Sequence, residues 1–155
     1  MSKKLEGNGR WGVKMLLTDH TAKYEQRDLT KRSGKPNSEE LLWIRDTILL
    51  PHLMTMLQRA HDEVERSEMT LHKVMAQFLR VVMDHVTLEM FNLRRQLRQQ
   101  NIRLLTEETQ DDIFYHKYVC RGYEDRFGMT REVMRGEIGN HIKRFVNQVL
   151  RPASK

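Results

Sequence analysis

The chain has 155 residues, 39% hydrophobic and 7% aromatic, with one cysteine, ten methionines and a net charge of +6. A single cysteine excludes an internal disulfide, and this length suits one domain with a buried core, so a disulfide-stapled secreted scaffold is not expected. No apolar run reaches the roughly 18 residues of a membrane helix, and the N-terminal MSKKLEGNGRWGVKMLL lacks a signal-type apolar stretch, which predicts a cytoplasmic protein without a membrane partner.

The surplus charge is placed in blocks. Residues 1–36 carry +5, residues 37–90 carry −4, residues 91–104 carry +4, residues 105–134 carry −3 and residues 135–155 carry +4. Basic regions beside acidic ones suit phosphate contact, self-association or an acidic protein partner.

In chain order, residues 1–11 hold Gly7 and Gly9 among charged neighbours and are expected to be a flexible tail, with a single helical domain over 12–151. Val13, Leu16, Leu17 and Tyr24 predict a short first helix, and RDLTKRSGKPN over 27–37 an exposed linker. Asn37 followed by Glu40 forms a capping-box pattern, so a helix is expected from residue 38 or 39, with Pro51 kinking or interrupting it. From Leu71 to Gln100 apolar residues keep helical spacing for seven turns, which predicts a long central helix buried on most of its apolar side, Phe78 included. IRLLT after Asn101 reads as extended. A helix is then expected from the acidic stretch at 106–112 to Phe127, with Gly128 as its left-handed terminator and Thr130 capping a last helix to Leu150. The predicted fold is all-α: a single-domain bundle of about five helices.

Local motifs supply the functional candidates. YEDRFGMTREVMRG, Tyr123 to Gly136, resembles the helix-turn-helix core of bacterial transcription regulators. The resemblance implies a helical pair over 109–150 in which Val133, Met134 and Ile138 face inward, while Thr130, Arg131, Glu132 and Arg135 of the segment 123–138 face DNA. It departs from that pattern at Glu124, where a small residue normally stands. The longer stretch YHKYVCRGYEDRFGMTREVMRGEI resembles small uncharacterised cytosolic helical proteins of Gram-positive bacteria, which implies fold and localisation and no activity.

FNLRRQLRQQNIR, Phe91 to Arg103, has four arginines and no acid, so Arg94 and Arg98 are candidate phosphate contacts, to be weighed against cations that favour a helix C-terminus. Cys120 and Arg126 have the cysteine-x5-arginine spacing of protein tyrosine phosphatases. Glu124 and Asp125 stand where phosphate would sit, and the stretch reads as helix rather than loop. His61 and Glu65, His85 and Glu89, Asp112 and His116, and Glu137 and His141 are spaced one helical turn apart; His85 with Glu89 is the pair to watch for a metal-binding bundle.

No triad, phosphate loop or strong metal signature supports catalysis, a cofactor or a small-molecule substrate. The leading expectation is a non-enzymatic regulatory or adaptor protein that binds another protein or itself. The alternatives are a DNA-binding regulator and a metal-binding bundle. Arg94, Arg98, Arg131 and Arg135 on one face would favour nucleic acid, and scattered arginines would favour protein.

Overall fold

The computed structural model describes residues 34–151. The expected tail, the first helix and most of the 27–37 linker lie outside the described residues. Helix α1 is Ser38–Arg66 and α2 is His72–Gln99; strands β1 Ile102–Gln110, β2 Ile113–Cys120 and β3 Tyr123–Thr130 follow, and α3 is Arg131–Leu150. The strands form an antiparallel sheet in the order β1-β2-β3. The described residues therefore fold as α+β, with three helices and a three-stranded sheet, which corrects the all-α bundle of about five helices.

Helix α1 starts as its local chemistry dictates. The Glu40 backbone N–H donates to Asn37 Oδ1 at 2.8 Å, and the Asn37 N–H donates back to Glu40 Oε2 at 2.9 Å. Pro51 lies inside α1 without interrupting it. Ile44, Ile48, Leu49, Leu50 and Leu53 are almost completely buried, so the middle of α1 is covered on more than one side. Helix α2 follows after residues 67–71 and packs against α1, while α3 lies against both.

The sheet replaces the helix expected up to Phe127. Phe114, His116, Tyr118 and Cys120 alternate with Ile113, Tyr115, Lys117 and Val119, and this period of two in aromatic and β-branched residues is strand chemistry. Both connections are two-residue turns with left-handed backbone at each position: Asp111 and Asp112 at φ 51° and 60°, Arg121 and Gly122 at φ 49° and 85°. That is the geometry matching the twist of paired strands. Gly128 is no helix terminator. It lies opposite Tyr115 in the sheet, where an added Cβ would stand 2.6 Å from the Tyr115 ring.

One side of the sheet closes the core. Ile102, Tyr118, Cys120 and Met129 are buried with Val82, Val86, Leu93 and Leu97 of α2 and Met134, Ile138 and Phe145 of α3. Thr130 caps α3, accepting from the Val133 N–H at 3.3 Å. Val133 itself is half-exposed rather than inward. The central helix is also less enclosed than expected: Leu71, Val74, Met75, Leu88 and Phe91 are exposed, and Phe78 is only partly buried.

Candidate functional site

Two polar clusters tie the elements together. Arg121 in the β2–β3 turn donates from Nη1 to Glu40 Oε1 at 2.8 Å and from Nη2 to Oε2 at 3.0 Å, a two-pronged bond to a carboxylate whose residue is 3% exposed. Its Nη1 also reaches the Gln100 carbonyl at 3.2 Å. One guanidinium thus joins the start of α1, the end of α2 and a sheet turn. Hydrogen bonding from Arg121 holds the Glu40 carboxyl below the usual carboxylate range, against the opposing effect of burial.

In the second cluster His141 Nε2 lies 3.0 Å from Asp46 Oδ1, and Arg144 Nη2 lies 3.0 Å from His141 Nδ1. A guanidinium only donates, so Nδ1 accepts and Nε2 carries the proton given to Asp46. Arg144 also binds Glu89 at 2.8 Å, and Arg45 reaches Asp46 at 2.9 Å and Glu137 at 3.4 Å. Burial raises the Asp46 carboxyl, and the bonds from His141 and Arg45 more than offset it. With both ring nitrogens engaged, His141 is a clamp between helices rather than a free base. Neither cluster was legible in the sequence, since Glu40 and Arg121 stand 81 positions apart and Asp46 and His141 stand 95 apart.

These pairings redistribute the candidate metal ligands. Glu89 binds Arg144 rather than facing His85, Glu137 binds Arg45, and His116 lies 3.7 Å from Glu107. Only His61 keeps its turn-spaced partner, Glu65, with Arg80 bonded to both. Among the described residues no three His, Cys, Asp or Glu side chains gather around one point. The Cys120 and Arg126 pair dissolves as well. Cys120 is fully buried at the end of β2, burial pushes its thiol up, and Arg126 stacks on the Tyr115 ring at 4.2 Å.

The helix-turn-helix geometry is not formed, because its first helix is replaced by strands β2 and β3. Thr130, Arg131, Glu132 and Arg135 do come together, lining a shallow cavity of about 390 Å³ with Asp111, Asp112 and Ile113. Three carboxylates share that cavity with two guanidinium groups, which opposes a polyanion. Arg131 rests 6.0 Å from the centre of the Phe114 ring.

Arg94 and Arg98 are elsewhere. The end of α2 adjoins Ile102, which is level with Cys120 and Tyr123, whereas Arg131 follows Thr130 at the opposite end of β3. Seven strand steps of about 3.3 Å separate these ends by roughly 23 Å. The end of α2 and the start of α3 therefore carry their arginines in two separate regions. Around the end of α2, Arg94, Arg95 and Arg98 are exposed beside Leu88, 60% exposed, and Phe91, 64% exposed.

A family model described as YhjD protein matches residues 35–150. The chain belongs to the YhjD protein family. Comparison with curated proteins and with solved structures returned no match. The matched segment covers the three described helices and the sheet, so the Glu40–Arg121 clamp and the arginine end of α2 lie within what this YhjD family model describes. Among the described residues no helix is long and apolar enough to cross a membrane.

Proposed function

We propose that the chain is a non-enzymatic regulatory or adaptor protein that acts in the cytoplasm by binding another protein. The observation carrying this reading is the surface of α2, where Val74, Met75, Leu88 and Phe91, with Leu71 just before the helix, are each 45–65% exposed. Leu42, Met56, Leu105, Val133 and Leu150 are exposed on the other elements, whereas Leu88 and Phe91 adjoin one another on α2, and adjoining large apolar side chains mark an interaction surface more often than single ones do. The division of the arginines into two regions supports a protein partner over duplex DNA, which is gripped through a continuous run of phosphates. The lone cysteine supports the reducing compartment.

A photo-crosslinking side chain placed at Leu88 tests this. In cells that make the protein it should yield adducts that resist nuclease and vanish with protease, while the same group at exposed Glu63 on α1 should yield few. Adducts that disappear with nuclease, or equal capture at both positions, would overturn the reading.

A further inference from the structure

We infer that Leu88, Phe91, Arg94, Arg95 and Arg98 form a docking site for an acidic amphipathic segment of a partner protein. This rests on the protein-binding reading above and names the chemistry of the partner. Helical spacing builds the site. Arg94, Arg95 and Arg98 stand three, four and seven residues after Phe91, and Leu88 stands three before it, so the exposed ring is bordered by guanidinium groups on the side facing the helix end.

The arginines have no partner inside the described residues: none of the three makes an ion pair or a side-chain hydrogen bond there. Elsewhere among the described residues Arg45, Arg80, Arg121 and Arg144 find carboxylates while Arg59, Arg66, Arg103 and Arg135 do not, so what sets the end of α2 apart is three such arginines beside an exposed ring. Attraction to the helix C-terminus accounts for Arg98, which is in the last turn of α2. It does not account for Arg94 and Arg95, which precede that turn, because the effect fades beyond one turn. It also leaves the exposure of Phe91 unexplained. From Met90 to Arg103 the chain has no acid, so the surface offers positive charge and apolar area together.

A segment with apolar residues on one face and carboxylates beside them satisfies both features. The ring and Leu88 supply an apolar anchor, and the guanidinium groups supply paired donors for carboxylates. Helix-in-groove recognition has this form, with anchors at helical spacing.

The test uses the full chain and fluorescence anisotropy with three labelled probes. These are a 20-residue helical peptide with Leu and Phe along one face and Glu on its flanks, the same peptide with Lys for Glu, and a 20-nucleotide polyuridylate. The Glu peptide should bind saturably and more weakly as salt rises. Phe91→Ala should weaken it by about 30-fold, as expected of an anchor, and Arg95→Glu by about tenfold. Leu71→Ala, at the other end of α2, should leave it unchanged. All three positions are exposed, and circular dichroism of each variant checks that it folds. Failure of the Glu peptide to bind, equal binding of the Lys peptide, preference for polyuridylate, or binding indifferent to Phe91→Ala would each overturn the inference. If nuclease-resistant adducts at Leu88 persist in that case, protein binding stands and only the acidic chemistry fails; if they are absent too, both readings fall.

Discussion

Arg121 occupies a left-handed turn position while holding a carboxylate 81 residues away, so its side chain does more for the fold than its place in a hairpin tip would suggest. Arg121→Ala strands the buried Glu40 charge with only its cap partner and should destabilise by about 3 to 5 kcal/mol in chemical denaturation. Arg121→Lys, which cannot make two parallel bonds, should recover only part of that. The sign of the pH response follows from the same groups. The folded Glu40 and Asp46 carboxyls titrate below their ordinary values of 4.5 and 3.8, so the stability they contribute is complete above those values and is lost as pH falls through the folded ones. His116 is lowered from 6.5, chiefly by burial and also by His52, with Glu107 opposing. Its contribution is complete above pH 6.5 and declines below it. Thermal midpoints should therefore fall in two stages on acidification. His116→Gln should flatten the upper stage and Glu40→Gln part of the lower; an unchanged profile in both variants would refute the assignment.

At the scale of the elements, four glycines answer differently to a methyl group. Gly136 and Gly139 lie inside α3 with open space where a Cβ would go, so each change to alanine should stabilise by about 0.5 to 1 kcal/mol. Gly122 also has open space, but its φ of 85° suits glycine, and Gly122→Ala should cost about 1 to 2 kcal/mol. Gly128→Ala must push away the Tyr115 ring and with it the stacked Arg126, at about 1 to 3 kcal/mol. Denaturation of the four single variants checks all of these signs. A stabilising Gly128→Ala would mean that the ring is not seated on the sheet as described. Strands stand where a helix is expected because Asp111-Asp112 and Arg121-Gly122 form left-handed two-residue turns, and β2 between them carries the aromatic and β-branched residues of a strand.

Across the described residues the core joins α1, α2, α3 and one face of the sheet, and Cys120 sits inside it at 0% exposure. Burial raises the thiol, and the neighbouring Tyr118 hydroxyl is likewise pushed up to about 12. A thiol reagent should therefore label Cys120 only when the domain opens, with a rate that rises with denaturant in step with the loss of structure. Labelling within minutes in native buffer would contradict this core. The docking site is the counterpart of that enclosure: α2 buries Val82, Val86, Leu93 and Leu97 on one side while Leu88 and Phe91 remain outside.

What the amino-acid sequence determined alone was short in range. The Asn37 capping box, the extent of α2 and the Thr130 cap each depend on residues within one or two turns, so spacing revealed them. The arginines after Phe91 were legible in the same way, as a run without acids. Which apolar positions of α2 stay exposed was decided only in the tertiary structure, because burial depends on which side of the helix α1, α3 and the sheet pack against. The partners of Glu40 and Asp46 were decided there too, since a buried charge takes whichever opposite charge the packing brings near. The separation of Arg94 and Arg98 from Arg131 and Arg135 has the same origin. It is set by the length of β3, a strand invisible until its pairing with β2 gave the backbone hydrogen-bond partners that a helix would have found within itself.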